Sequence, residues 1–371
     1  MKKIIYLIDE FCISSSSPNS KHVKDIIDFI NLDKKNSSKN IFFSKNYVPG
    51  GLRPKRLFNL LKSFIYMSFF IPYISLKELN IHKSIVITTS PPMLYLYCLF
   101  LCKFSKIDCY VWFMDAHPEI EARFLQTKGF NFIARFLRYI EKKLCNNSKK
   151  IICLDESMKK RICSNNVNLD NVIVCPPWAT YLGSSNFIQK VDIHLTVKFI
   201  YAGNYGKVHD LSPMSDLFSK FTLKEQSSLY LTFVGMSHKS QLEINNIFSK
   251  LGCTIEFLPR FERVDNLIHL FKEYHFGIVS LSYESIGLAC PSKAYTYISQ
   301  GLPIYYVGPD FTLSHDLCNQ GFGVSQTDIP NIFSDWIHNL KNYYSSNSGK
   351  IFHNPKHESL RKFKNILDER I

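Results

Sequence analysis

The chain has 371 residues, of which 46% are hydrophobic and 20% charged, a composition that excludes extensive disorder and fibrous repeats. The length accommodates two domains that each bury a core. The formal charge of +14 predicts an anionic partner. Because the basic residues are scattered from Lys2 to Lys364 without a nucleic-acid motif, acidic lipid is favoured over nucleic acid.

Localisation is indicated by the cysteines and by two apolar segments. Eleven cysteines without CxxC spacing are typical of reduced thiols in a cytosol. Five apolar residues precede Asp9, too few for a signal peptide, so a buried strand is expected there. The most apolar stretch, residues 57–76, is interrupted by Lys62 and Pro72 and is too short to span a membrane. It predicts either a core helix or a helix on an anionic membrane surface, the latter because basic residues flank it. These residues are Arg53, Lys55, Arg56, Lys62 and Lys77.

Short β-branched or aromatic runs alternate with helical patterns, which predicts parallel sheets covered by helices. In the first half, strands are predicted over 3–8, 40–44, 84–90, 108–115, 150–155 and 171–176. The intervening helices are predicted over 22–31, 93–104, 129–145 and 156–163. A polar segment at 180–190 is typical of an interdomain linker.

A second set of elements follows this linker. Its strands are predicted over 197–203, 229–235, 254–259, 276–281 and 303–308. Its helices are predicted over about 211–221, 238–251, 264–273 and 293–300. A polar loop at 345–349 then precedes a helix over about 357–369.

The predicted fold class is α/β, with two Rossmann-like domains whose parallel sheets face a central cleft. The domains are expected at 1–180 and 181–355, followed by a helix at 356–371 that crosses back to the first domain. Ligands of such folds bind at the carboxyl ends of the strands. Functional residues are therefore sought in the loops that follow strands.

The loop YAGNYGKVHDL, after the first strand of the second domain, has residue types that bind phosphate. Gly203 and Gly206 would let backbone N–H groups approach a phosphate beside Asn204, and Lys207 adds a positive charge. A plain tight turn explains the same glycines.

The segment SYESIGLACPSKAY is the second candidate phosphate site. Pro291 suits a first helical turn, so Ser292 and Lys293 are expected where the helix dipole and a cation favour a diphosphate. An N-cap followed by a solvated lysine is the alternative. Glu284 is the acid placed to accept hydrogen bonds from sugar or ribose hydroxyls, and Arg260 is a possible nucleotide contact or a solvated charge.

In the first domain, Asp115 and His117 follow the strand over 108–115. Asp115 would orient an acceptor hydroxyl or accept its proton, or else cap the following helix. The helix that contains Arg161 is interpreted as a capped surface helix. No two aspartates stand two residues apart, so catalysis without a bound metal is expected. The P-loop, GxGxxG and HExxH motifs are also absent, which argues against kinases, dehydrogenases and metalloproteases.

In order and spacing, the segments TTSPP, MDAHPE, YAGNYGK, FVG and CPSKAYTYISQGLPI resemble GT-B glycosyltransferases of family 4. The similarity is greatest to the WbuB-like transferases of O-antigen and capsule assembly. It implies a nucleoside-diphosphate-sugar donor, no cofactor, retained anomeric configuration and a polyprenyl-diphosphate-linked glycan acceptor at the inner face of the plasma membrane. Asn204, Lys207, Ser292 and Lys293 would then face the donor diphosphate, and Asp115 the acceptor.

Two departures from the family pattern leave other functions open. Thr296 stands where a second donor-site glutamate is expected, and Glu284 is displaced from the position of the first. The amino-terminal loop lacks a glycine pair, for which Ser14 to Ser17 and Asn19 are candidate substitutes. A sugar-nucleotide epimerase of the same fold and a catalytically silent, membrane-bound scaffold are the alternatives.

Overall fold

The computed structural model describes residues 3–11, 18–32, 36–44, 53–77, 81–89, 94–164, 168–179, 188, 193, 196–261 and 264–368. Ser14 to Ser17 and nearly all of the predicted linker at 180–190 lie outside these residues, as does the Asn19 side chain. The chain divides into two compact units. Unit 1 is Met1–Thr180, Gly287–Cys290 and Pro355–Ile371, and unit 2 is Tyr181–Ile286 and Pro291–Asn354.

The described strands and helices alternate along the chain. The strands are β1 (Lys3–Phe11), β2 (Asn36–Ser44), β3 (His82–Thr88), β4 (Asp108–Trp112), β5 (Lys150–Cys153), β6 (Val172–Val174), β7 (Val197–Ala202), β8 (Leu229–Val234), β9 (Thr254–Leu258), β10 (Phe276–Ser280), β11 (Ile304–Val307) and β12 (Gly323–Ser325). The helices are α1 (Pro18–Asn31), α2 (Arg53–Leu76), α3 (Leu94–Ser105), α4 (Glu119–Thr127), α5 (Asn131–Cys145), α6 (Glu156–Ser164), α7 (Ser212–Phe218), α8 (Leu223–Gln226), α9 (His238–Phe248), α10 (Val264–Phe271), α11 (Lys293–Ser299), α12 (Leu313–Leu317), α13 (Phe333–Asn347) and α14 (Lys356–Asp368).

Unit 1 contains a parallel sheet with helices on both faces, in the order β2-β1-β3-β4-β5-β6. The sheet has one hydrophobic core on each face. Alternate residues of β1 belong to different cores, because successive side chains of a strand point to opposite faces. Ile4 and Ile8 join a core built with α2, α3, α5 and α6, whereas Ile5 and Leu7 join one built with α1 and α14. The inner strands β1, β3, β4 and β5 are buried on both faces, as their continuous apolar runs require.

Unit 2 contains the second parallel sheet, in the order β12-β11-β10-β7-β8-β9. Aromatic rings fill its core: Phe199 of β7 lies 5.9 Å from Phe276 and 5.1 Å from Tyr305, measured between ring centroids. Trp336 of α13 is fully buried and donates from its indole nitrogen to the Tyr305 hydroxyl at 3.3 Å. Contacts between these aromatic side chains thus pack α13 against the sheet.

The structure corrects several predicted boundaries. Residues 345–347 continue α13 instead of forming a loop, and α4, β12 and α13 had no predicted counterpart. β4 ends at Trp112, three residues before Asp115, because the Thr89 hydroxyl accepts hydrogen bonds from the backbone N–H groups of Met114 and Asp115. Within the described residues, α2 and the other helices are too short or too polar to cross a membrane.

Candidate active site

In unit 2, the loops after β7 and β10 are hydrogen-bonded to each other. The backbone N–H of Ser282 donates to the Val208 carbonyl at 2.9 Å. The His209 Nδ1–H donates to the Ser280 carbonyl at 2.7 Å. β7 and β10 are neighbouring strands, so the loops at their carboxyl ends meet at one edge of the sheet. The glycine-containing loop and the segment with Glu284 therefore belong to one site.

Lys293 is the first residue of α11, and its ammonium group is buried in this site. Its Nζ lies 3.4 Å from the centroid of the Tyr201 ring and has no hydrogen-bond partner within the described part of the chain. Burial lowers the pKa of Lys293 well below its usual 10.5. The alternative prediction, that Lys293 is solvated, is therefore wrong. Desolvation also disfavours the positively charged form that was expected at this residue.

His209 lies close to Lys293, and the sequence analysis assigned it no role. Burial, and secondly the nearby Lys293 charge, lower the pKa of His209 to about 3. The ring is therefore neutral near pH 7, and because Nδ1–H donates to Ser280, Nε2 carries the lone pair. The sequence feature that could have indicated a role for His209 is its position two residues after Lys207, beyond the carboxyl end of β7.

The loop residues at 203–207 present their backbone to solvent. Gly203, Asn204 and Lys207 are exposed. Gly203 has φ +115°, a conformation that favours glycine, and the space on its Cβ side is open. The space on the Cβ side of Gly206 is open as well. The Gly203 N–H donates to the Val234 carbonyl at 3.0 Å and Tyr205 is buried. A ligand can therefore approach this loop at exposed Asn204 and Lys207 and on the open Cβ sides of the two glycines.

The other residues predicted to bind the donor are Glu284, Pro291, Ser292 and Arg260, and they lie in different loops of unit 2. Glu284 is exposed in a short 3-10 turn over Tyr283–Ser285, beside the 203–209 loop. Ser292 stands at the N-cap of α11 without a side-chain capping bond, and Pro291 precedes it. Arg260 is exposed after β9, two strands from β7, and its Cβ lies 3.5 Å from the Cβ position of Gly235, which follows β8.

In unit 1, Asp115 is a half-buried carboxyl group beyond the carboxyl end of β4. Its carbonyl accepts from the Thr89 hydroxyl at 2.8 Å, and its backbone forms an antiparallel bridge with Ala289. Burial raises the pKa of Asp115, nearby His117 lowers it, and Glu121 raises it. Desolvation thus disfavours the charged form of this carboxyl group.

His117 is fixed beside Asp115 by two contacts. Its Nδ1 lies 2.7 Å from the Glu121 carboxylate, and its carbonyl accepts from the Tyr95 hydroxyl at 2.7 Å. Tyr95 is fully buried. The segment that follows β4, with Asp115 and His117, is therefore held in place by side chains from α3 and α4.

Arg161 and Glu141 form a buried ion pair in unit 1 that the sequence analysis missed. Their Nη2 and Oε1 atoms are 3.4 Å apart, and the side chains are 10% and 4% exposed. The predicted capped helix is confirmed, because the backbone N–H of Met158 donates to Asp155 Oδ1 at 2.7 Å and Glu156 and Lys160 are exposed. The Arg161 side chain itself is largely buried, since it follows buried Met158 by three residues and shares its helix face. Nε and Nη1 of Arg161 have no hydrogen-bond partner. Burial raises the pKa of Glu141.

The segment Gly287–Cys290 packs in unit 1 against β4 and α6. The backbone N–H of Ala116 donates to the Leu288 carbonyl at 2.7 Å. Gly287 has φ +71°, and a Cβ at this position would lie 2.7 Å from the Ser157 carbonyl oxygen. Only glycine fits without rearrangement, so this residue fixes how the segment meets α6.

Comparisons with known proteins identify the architecture. The chain matches no protein-family model and no curated protein sequence. The structure of the lipopolysaccharide outer core galactosyltransferase WaaB aligns with a TM-score of 0.57 at 12% identity, covering 98% of this chain and 99% of WaaB. WaaG, a glycosyltransferase involved in lipopolysaccharide biosynthesis, aligns with a TM-score of 0.55 at 10% identity, covering 98% and 96%. The UDP-GlcNAc 2-epimerase from Methanocaldococcus jannaschii aligns with a TM-score of 0.52 at 14% identity, covering 98% and 99%.

These likenesses concern the fold, since transferases and an epimerase share it at low sequence identity. The two six-stranded parallel sheets, each covered by helices, match these structures over nearly the whole chain. The predicted α/β class is confirmed, and the chain has the GT-B fold.

Proposed function

We propose that this chain is a retaining glycosyltransferase of family 4 that transfers a hexose or amino sugar from a nucleoside-diphosphate-sugar to a lipid-linked glycan in bacterial surface polysaccharide synthesis. The observation that carries the proposal is the buried Nζ of Lys293, which has no hydrogen-bond partner among the described residues and lies near the 203–207 loop with its open glycine Cβ sides. A buried amine without a partner is costly unless a ligand supplies the missing anion. A diphosphate supplies that anion.

Unit 2 would stabilise the leaving group. When the bond between the anomeric carbon and the diphosphate oxygen breaks, negative charge grows on that oxygen. Lys293 would then hold a proton and offset this charge, together with the N–H groups around Asn204 and the exposed Lys207. In a retaining transfer the acceptor hydroxyl bonds to the anomeric carbon on the same face, and its proton passes to the departing phosphate.

Unit 1 would handle the acceptor through Asp115. Burial raises the pKa of this carboxyl group, and the fixed position of His117 keeps the adjoining backbone in place. Asp115 would orient the acceptor hydroxyl while the phosphate takes its proton. This scheme requires no cofactor and no catalytic metal.

A lipid-linked acceptor places the enzyme at the cytoplasmic face of the membrane, and one surface of unit 1 supports this location. α2 packs on α3, and α3 on α5, in the layer that covers one face of the sheet. The aromatic face of this layer consists of exposed rings from all three helices. Its members are Phe69, Tyr73, Phe100, Phe104, Phe132, Phe136 and Tyr139.

Two further features suit the aromatic face to anionic lipid. Exposed lysines stand among its rings, and Lys77 and Lys143 lie over Tyr73 and Tyr139, with Nζ 5.5 and 5.2 Å from the ring centroids. An apolar groove of roughly 400 Å³ runs between the helices, with Phe100 among its lining residues. Aromatic rings flanked by lysines are typical of interfacial binding. Peripheral attachment through unit 1 is therefore part of the proposal; the side chains of Arg53, Lys55 and Arg56 lie outside the described residues.

The Lys293→Met variant tests the proposed donor site. Purified protein is incubated with a panel of sugar nucleotides and a bacterial lipid extract, and the extended lipid-linked product is measured by mass spectrometry. Methionine keeps the apolar contact with Tyr201 but removes the charge, so kcat/KM should fall by about 100-fold to 1,000-fold. Lys250→Met, at an exposed position of unit 2, is the matched control and should keep wild-type activity. Equal activity of the two variants would refute the role of Lys293.

The same incubation separates the transferase from its rivals. A sugar-nucleotide epimerase, suggested by the structural likeness to UDP-GlcNAc 2-epimerase, converts the donor without any acceptor. A transferase requires the lipid extract for product formation. A silent scaffold binds no nucleoside diphosphate, which calorimetry with UDP, GDP and dTDP measures directly.

A further inference from the structure

Asp310, His315 and Asp328 of unit 2 gather three potential metal ligands outside the proposed donor site. Asp310 follows β11, His315 belongs to α12, and Asp328 follows β12. One ligand atom from each residue lies within 4.8 Å of the other two. His315 Nε2 is 3.4 Å from an oxygen of each aspartate. We infer that these residues form a structural site for a divalent transition-metal ion of the Zn²⁺ type.

The environment of the His315 Nε2 atom indicates that a ligand binds here. His315 Nε2 is buried and makes no hydrogen bond to any described residue, although two carboxylates lie 3.4 Å from it. An imidazolium paired with a carboxylate makes hydrogen bonds of about 2.7–2.9 Å. A separation of 3.4 Å instead matches the edge of a tetrahedron, which is roughly 3.4 Å for metal–ligand bonds of about 2.1 Å. The two distances from His315 Nε2 therefore fit a bound ion, and the two aspartate oxygens lie within 4.8 Å of each other.

Surrounding groups hold the ligands in orientations that suit a metal. The Thr327 hydroxyl donates to Asp310 Oδ1 at 3.0 Å and lies 3.4 Å from Asp328 Oδ1, so it stands between the two carboxylates. The Asn319 amide nitrogen Nδ2 lies 3.3 Å from His315 Nδ1. The metal-binding tautomer requires the amide of this residue to be rotated by 180°, which exchanges Nδ2 and Oδ1. With the amide oxygen turned to the ring, Nδ1–H donates to it and the Nε2 lone pair is free for a metal.

The solvent exposure of the three side chains indicates how the coordination shell of the ion would be completed. The His315 side chain is 13% exposed, whereas Asp310 and Asp328 are 44% and 52% exposed, so water can complete the coordination shell. One imidazole and two carboxylates favour first-row ions such as Zn²⁺ over Mg²⁺. The ion would tie the segment after β11 to the segment after β12. It would stabilise this end of unit 2 and take no part in sugar transfer.

Calorimetric titration of the untagged full-length protein, stripped with EDTA and held under reducing conditions, tests the site with Zn²⁺ and Co²⁺. We expect one equivalent to bind and to raise the melting temperature. His315→Gln should weaken binding at least about 100-fold and Thr327→Val about tenfold. His338→Gln, exposed on α13, is the matched control and should bind as wild type. Asp328→Asn, at an exposed position, repeats the test should His315→Gln fail to fold.

The Co²⁺ spectrum distinguishes this site from binding by cysteine. Ligation by nitrogen and oxygen lacks the thiolate-to-metal charge-transfer band that Co²⁺ bound to cysteine shows. Absence of stoichiometric binding, unchanged affinity in folded His315→Gln or Asp328→Asn, or a thiolate spectrum would each overturn the inference. None of these measurements depends on transferase activity, so the inference and the proposed function fail separately.

Discussion

Lys293 begins α11, and its ammonium group lies buried over the Tyr201 ring. The motif CPSKAY predicted a cation at a helix start, and the residue does begin α11. Its burial against Tyr201 depends on how β7 and α11 pack, which adjacent residues along the chain do not encode. The result is an amine whose positive charge is opposed by desolvation until an anion arrives. This state has a consequence for pH dependence.

Nucleoside-diphosphate affinity should fall as pH rises above the lowered pKa of Lys293. The bound anion favours the protonated amine, so binding below that pKa is unaffected by this group, whereas above it the protein must take up a proton to bind. Calorimetry with UDP, GDP and dTDP from pH 7.5 to 9.5 measures this effect, since a phosphate with a second pKa of about 6 is fully ionised there. His209 does not interfere, because its pKa is about 3. The slope should vanish in Lys293→Met, and a slope that persists would assign the proton to another group.

Arg161 and His209 show which site residues sequence patterns do not reveal. Arg161 stands in a run of basic residues, MKKR, that is typical of a solvated helix face. Its burial follows from the pairing of α6 with Glu141 of α5, twenty residues earlier in the chain. Charged residues are seldom buried without such a partner. Local spacing therefore carries no sign of it.

Among the secondary-structure elements, the bounds of a strand were predicted well where the strand is buried on both faces. β10 was predicted over 276–281 and found over Phe276–Ser280, because its apolar run has one interpretation in a parallel sheet. The end of α13 was missed because Ser345, Ser346 and Asn347 favour turns in isolation. Buried Trp336, Leu340 and Tyr344, spaced by four residues, extend the helix through them. Packing here outweighs local propensity.

The Gly287→Ala variant tests how firmly the segment Gly287–Cys290 is held in unit 1. The added Cβ would lie 2.7 Å from the Ser157 carbonyl oxygen, a backbone atom that cannot yield cheaply. We expect a loss of about 1–3 kcal/mol in the free energy of unfolding, measured by urea denaturation with tryptophan fluorescence. Trp112 and Trp178 report on unit 1.

Gly129→Ala is the matched control for this variant. Gly129 also has a positive φ, +83°, but no atom lies within 4 Å of its Cβ position. Alanine there should cost only the conformational penalty of about 1 kcal/mol. The difference between the two variants isolates the steric clash, and equal losses would show that the segment yields freely around Ser157.

At the scale of the whole molecule, the alternation of strands and helices was sufficient to predict two parallel sheets. The reaction does not follow from that architecture, because WaaB and a UDP-GlcNAc 2-epimerase match the chain with TM-scores of 0.57 and 0.52. A proposal about function must therefore rest on particular groups such as Lys293 and Asp115. The excess of positive charge is likewise uninformative until the structure shows which apolar surface it accompanies.

The aromatic face of unit 1 predicts binding to anionic vesicles. The double variant Phe132→Ser, Phe136→Ser removes rings that are 78% and 52% exposed on α5. Burying each ring in the interface contributes about 1.5–3 kcal/mol, so vesicle affinity should fall at least about tenfold for each one. Co-sedimentation with vesicles containing phosphatidylglycerol, compared with neutral phosphatidylcholine vesicles and repeated at high salt, measures both the apolar and the electrostatic contributions.

Leu223→Ser, Leu242→Ser is the matched control for the aromatic face, since these side chains are 72% and 52% exposed on unit 2 helices. This variant loses comparable apolar surface away from the aromatic face, so it should sediment with anionic vesicles as the wild type does. Binding to anionic vesicles should weaken as salt rises, because the lysines among the rings act through screened charge. If both double variants lost binding equally, attachment would come from general surface hydrophobicity and the aromatic face would have no special role.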